Sequence, residues 1–89
     1  MIRTMIKASR LHDVRKFLEA YGYAGFRASG LIEEGDGFMD GFPKREIWLI
    51  ERAGGGQVAS IKIQITEEST PRFVAMAIIS AIEKWRKSI

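Results

Sequence analysis

The chain of 89 residues contains no cysteine and only a single histidine. The absence of cysteine excludes disulfide bridges, thiolate metal sites and cysteine nucleophiles together. The one histidine, His12, has no serine or carboxylate placed to form a catalytic triad with it. We therefore expect a protein that is not an enzyme and that needs no cofactor. An enzyme remains possible only if an oligomer assembles a site from separate chains.

Long hydrophobic segments are also missing. The longest mostly apolar run, residues 73–82, has about half of the roughly 20 residues that cross a bilayer. Residues 1–7 lack the continuous apolar region of a secretory signal, because charged side chains interrupt it. The chain is long enough for one hydrophobic core and no more. We therefore expect a single cytoplasmic domain over residues 1–89, with no membrane partner.

Two segments have the pattern of helices. In the first, apolar residues recur at steps of three and four, which predicts a helix from a cap at Ser9 to about Tyr21, ended by Gly22. In the second, Thr70 and Pro71 form a typical helix start, and the helix is predicted to continue to about Lys87.

Three segments between the helices have the pattern of strands, at residues 26–33, 45–52 and 58–66. Residues 2–7 form either a further strand or a loose arm. The predicted fold class is α+β, with two helices packed on one face of a three- or four-stranded antiparallel sheet, in the order (β)-α-β-β-β-α.

The register of the last two strands decides which side chains face solvent. A hairpin folded symmetrically about Gly55 places Ile47 and Leu49 in the core, opposite Ile63 and Ile61. Trp48 then lies on the solvated face opposite Lys62, and Ile50 lies there opposite Ser60. A turn shifted by one residue would instead return Trp48 to the core.

The segment of residues 34–41, between the first and second predicted strands, is acidic and rich in glycine. Three large apolar residues nevertheless lie in it or directly after it, and the partner-binding candidates are Phe38, Met39, Asp40 and Phe42. The alternative is that the apolar residues fold back and cap the core. The spacing of the carboxylates does not match an EF-hand loop, so we predict no metal site.

The first three turns of the second predicted helix are apolar nearly all round. A helix of this kind needs to be covered on every side, and the predicted dimer interface consists of Phe73, Met76 and Ile79. The alternative is complete burial of these residues within one chain.

The favoured hypothesis is a small non-enzymatic binding protein that occupies the surface of a protein partner and also forms a homodimer. A regulator or inhibitor encoded by a phage or another mobile element fits this description. The alternative is nucleic-acid binding, indicated by an isoelectric point near 9.5 and by basic residues towards both ends of the chain. The residues predicted for that alternative are Trp48, Lys62 and Gln64 on the sheet, with Arg15 and Lys16 on the first helix.

Overall fold

The computed structural model describes residues 2–34 and 44–89. Its elements are β1 (Ile2–Met5), α1 (Ala8–Ala20), β2 (Phe26–Glu34), β3 (Arg45–Arg52), β4 (Gln57–Gln64) and α2 (Pro71–Lys87). The strands form one antiparallel sheet in the order β1-β2-β3-β4. The predicted α+β fold is confirmed, and the amino-terminal segment is its fourth strand.

The two helix starts differ in how well the sequence predicts them. Thr70 caps α2 as predicted, since its side chain accepts a hydrogen bond from the Phe73 backbone N–H at 3.2 Å. The predicted cap at Ser9 is wrong, because α1 already begins at Ala8 and its N-cap residue, Lys7, makes no side-chain capping bond. Gly22 does follow α1 with a positive φ of 89°, as expected of a helix stop.

Both helices lie on one face of the sheet and enclose the hydrophobic core. The fully buried members of this core come from both helices and from the two central strands; they are Val14, Leu18, Ala28, Trp48, Ile50, Val74, Ala75, Ile78 and Ile82. The other face of the sheet is covered by neither helix, and we call it the open face. The alternation of Ser60, Lys62 and Gln64 towards solvent in β4 is confirmed.

The predicted symmetric register of the hairpin is wrong. Trp48 pairs with Ile61, and Ile47 pairs with Lys62. The turn closes between Arg52 and Gly56, where the Arg52 N–H donates to the Gly56 carbonyl at 3.0 Å, and a bulge follows at Ile50/Glu51. Turn and bulge together shift the pairing by one residue, and relative to β4 such a shift moves the side chains of β3 to the opposite face.

Three corrections follow from the shifted register. Trp48 is fully buried in the core instead of lying on the solvated face. Ile50 is likewise buried, although the symmetric register placed it outside. Ile47 and Leu49 are the reverse case, since they were predicted to be core residues and lie half-buried on the open face.

Gly30 provides the space that the Trp48 indole needs. The two residues are opposite each other on β2 and β3. A Cβ atom at position 30 would lie 2.7 Å from Ile6 Cδ1 and 3.0 Å from Trp48 Cδ2. Glycine is therefore used here for close approach, which is a common role of glycine within a strand.

A buried polar cluster holds Trp48 in this orientation. Glu46 is 1% exposed, and its carboxylate accepts hydrogen bonds from Arg10 Nε at 2.5 Å and Arg10 Nη2 at 2.9 Å. Trp48 Nε1 donates to the same carboxylate at 3.2 Å. Arg10 Nη2 also donates to the Ser69 carbonyl at 2.6 Å. The cluster joins α1, β3 and the segment before α2.

Candidate functional site

The centre of the open face is apolar. Met5, Leu31 and Ile47 are directly opposite one another on β1, β2 and β3, so their side chains lie side by side on one face. Leu49 lies two residues further along β3, on the same face. We call Met5, Leu31, Ile47 and Leu49 the apolar stripe.

The apolar stripe is accessible to solvent. Met5 is 87% exposed and Leu31 is 39% exposed, while Ile47 and Leu49 are half-buried. An antiparallel sheet with one uncovered face normally carries polar residues there. Neighbouring apolar side chains on such a face are a feature of interaction surfaces.

Charged residues border the apolar stripe at both ends. At one end Glu33 is opposite both Arg3 and Arg45, with N–O distances of 3.7 Å and 3.4 Å. The two guanidinium groups cover this carboxylate so well that Glu33 is 5% exposed. At the other end Arg27 is opposite Glu51. The open face therefore has an apolar centre and a charged border.

Two small residues give the surface its relief. Ser29 and Ser60 are opposite Leu49 on β2 and β4, so the leucine side chain stands between two lower positions. A depression of about 410 Å³ is lined by these three residues together with Gly30, Leu31 and Ile47. This shape can accept apolar side chains of a partner on either side of Leu49.

The residues predicted for nucleic-acid binding do not form one surface. Lys62 and Gln64 are exposed on the open face, whereas Trp48 lies in the core beneath it. Arg15 lies on the helix side, where its Nε and Nη2 donate to the Ala28 carbonyl at 3.1 Å and 3.0 Å. These two bonds satisfy the Ala28 carbonyl, which lies on the edge of β2 beyond the end of β1. Lys16 is exposed on α1.

The residues predicted for protein contacts are only partly described. Phe38, Met39, Asp40 and Phe42 lie outside the described residues. On α2, Phe73 is 51% exposed and Met76 is 49% exposed. Ile79 is partly buried and packs against the core.

An aromatic and basic cluster that was not predicted from the sequence lies at the carboxyl-terminal end of α2. Arg52 lies 5.4 Å from the ring centroid of Trp85, and Arg86 lies 5.5 Å from that of Tyr23. The Tyr23 hydroxyl donates to Glu83 Oε1 at 2.7 Å, and this hydrogen bond to the carboxylate raises the pKa of Tyr23. Basic residues in the last turn of α2 were the available signal, but the partners of Arg52 and Arg86 are distant in the sequence.

Residues 2–34 and 44–89 contain no group of three or more His, Cys, Asp or Glu side chains arranged to hold a metal ion. Neither of the helices described in these ranges is long and apolar enough to cross a membrane.

Comparisons with known proteins give no family for this chain. No protein-family model matches it, no curated protein matches it, and no solved structure matches it.

Proposed function

We propose that this protein is a non-enzymatic binding domain that acts by covering the surface of another protein, as a regulator or inhibitor of that partner. The observation that carries the proposal is the apolar stripe on the open face. An apolar centre with a charged border is the arrangement found in protein–protein interfaces.

The charges of the open face indicate the chemistry of the partner. Four basic residues, Arg3, Arg27, Arg45 and Lys62, share this face with two acidic residues, Glu33 and Glu51. The excess of positive charge favours a partner whose contact surface combines apolar and acidic side chains. Complementary charge of this kind speeds association and discourages wrong partners.

The proposal is tested by capturing the partner from a nuclease-treated native lysate and identifying it by mass spectrometry. The test variant is Leu31→Ser/Leu49→Ser, and the matched control is Met76→Ser/Ile89→Ser, which removes exposed apolar residues that lie outside the open face. Burying a leucine side chain contributes about 1.5–3 kcal/mol, and 1.4 kcal/mol is about a tenfold change in affinity. We expect the test variant to recover at least about tenfold less partner than the wild type.

Circular dichroism must show that both variants are folded. Equal recovery by the wild type and the Leu31→Ser/Leu49→Ser variant would contradict the proposal, and so would a partner that the control variant alone fails to capture.

Nucleic-acid binding is the second candidate, supported by the Arg52, Lys84, Arg86 and Lys87 side chains around the end of α2. Phosphate contacts make affinity fall steeply as the salt concentration rises. A gel-shift series with single-stranded and double-stranded probes separates the two candidates. Retention at low salt that disappears at high salt would favour this second function, and no retention at any salt would dispose of it.

A further inference from the structure

β4 is an edge strand whose outer backbone groups point away from the sheet. The Ile65 N–H donates to the Lys44 carbonyl at 2.9 Å, which fixes the residues of β4 that bond to β3. Because bonded and non-bonded residues alternate in an antiparallel pair, Ser60 and Lys62 direct their N–H and C=O groups outwards. Gln64 has the same orientation, but its carbonyl accepts a hydrogen bond from Ser69 Oγ at 2.7 Å. The available edge therefore runs from Ser60 to the Gln64 N–H.

We propose that this edge pairs antiparallel with β4 of a second copy of the chain, about a two-fold axis that passes beside Ile61. A second extended backbone can match every donor and acceptor in such an alternating row, as in strand addition. The proposal concerns a surface separate from the apolar stripe, so it does not depend on the function proposed above.

Charge selects the register of the pairing. An axis at Lys62 would place two ammonium groups directly opposite each other, which is unfavourable. An axis at Ile61 places each Lys62 opposite Ser60 of the second copy on the open face. On the helix side it places Ile61 opposite Ile61, and Ala59 opposite Ile63. This register combines apolar cross-strand pairs with separated charges.

The grooves on the helix side of β4 also favour a second copy of the chain as the partner of this edge. Two grooves of about 500 Å³ and 400 Å³ lie between β4 and α2. Ala77 lines both, Ala81 lines one and the half-exposed Phe73 lines the other. In the two-fold arrangement the two α2 helices run antiparallel beside each other, and small side chains at this position permit the close approach. Phe73, predicted as a dimer residue, is then covered by the second copy.

The pairing would create an eight-stranded sheet with both open faces on the same side. The two apolar stripes would then form one extended surface. A partner with two copies of its own site would bind such a surface more tightly than it binds one chain.

The absence of cysteine from the chain makes the register directly testable by disulfide trapping. In an Ile61→Cys variant the two thiols lie opposite each other across the axis, so mild oxidation should convert most of the protein to a cross-linked dimer. The matched control is Ala59→Cys, whose equivalents lie four residues apart along the paired strands. That separation of about 13 Å exceeds the reach of a disulfide, so this control should stay uncross-linked.

Sedimentation equilibrium of the wild type should give the mass of two chains, and Lys62→Pro, which removes an outward N–H, should give the mass of one. Circular dichroism verifies that this variant is folded. A wild type that sediments as a single chain would overturn the proposal. A dimer that cross-links equally at Ala59→Cys, or at Ser60→Cys in place of Ile61→Cys, would overturn the register.

Discussion

Arg10→Ala is expected to lower the free energy of unfolding by about 3–5 kcal/mol, because it leaves the buried Glu46 carboxylate without its charged partner. Glu46 is 1% exposed and receives two hydrogen bonds from the guanidinium group. The substitution also removes the bond to the Ser69 carbonyl. Urea denaturation followed by circular dichroism measures the loss.

Two further variants distinguish the stability effect of the buried ion pair from that of an exposed one. Lys44→Ala removes an exposed ion pair with Glu34, 3.2 Å in length, and should cost at most about 1 kcal/mol. Adding Glu46→Gln to Arg10→Ala removes the unpaired charge and should restore part of the lost stability. A loss below about 1 kcal/mol for Arg10→Ala would show that the cluster does not stabilise the fold.

Trp48→Ala is expected to destabilise the protein by about 3–5 kcal/mol, the usual cost of emptying a buried aromatic site. Trp48 is fully buried between Gly30 and the helices. Leu49→Ala is the matched control, since the neighbouring residue is half-buried on the open face and should cost clearly less. The denaturation midpoints of the two variants provide the comparison.

The register of the hairpin determines which of these two variants loses more stability. In the symmetric register Trp48 would be a surface residue, and its replacement would change stability by no more than about 0.5 kcal/mol. A larger loss for Leu49→Ala than for Trp48→Ala would therefore contradict the observed pairing of β3 with β4.

The fold was predictable where local chemistry decides it. Thr70 and Pro71 define the start of α2 through one capping bond and one fixed dihedral angle. The alternation in β4 is also local, because it needs only the period of two of a strand. The position of Ser9 in the first turn of α1 was not predictable in this way, since that helix begins without a side-chain cap.

The candidate site was much less predictable. Whether Ile47 and Leu49 face the core depends on where the glycine turn closes and on a bulge, and neither has a distinct signature in the sequence. Met5 joins the apolar stripe only because β1 pairs with β2, a contact that the amino-terminal pattern left undecided. Arg10 and Glu46 are 36 residues apart, so their bond was also invisible to local patterns.

The proposed function requires the apolar stripe to be accessible in the folded protein, and thiol labelling tests this most directly. Leu49→Cys and Ile50→Cys place single thiols at adjacent positions on opposite faces of β3. A maleimide should modify Leu49→Cys readily, whereas Ile50→Cys should react on the order of 100-fold more slowly, because its thiol is reached only when the core opens. Faster labelling of Ile50→Cys than of Leu49→Cys would place Leu49 in the core and contradict the existence of the open-face surface.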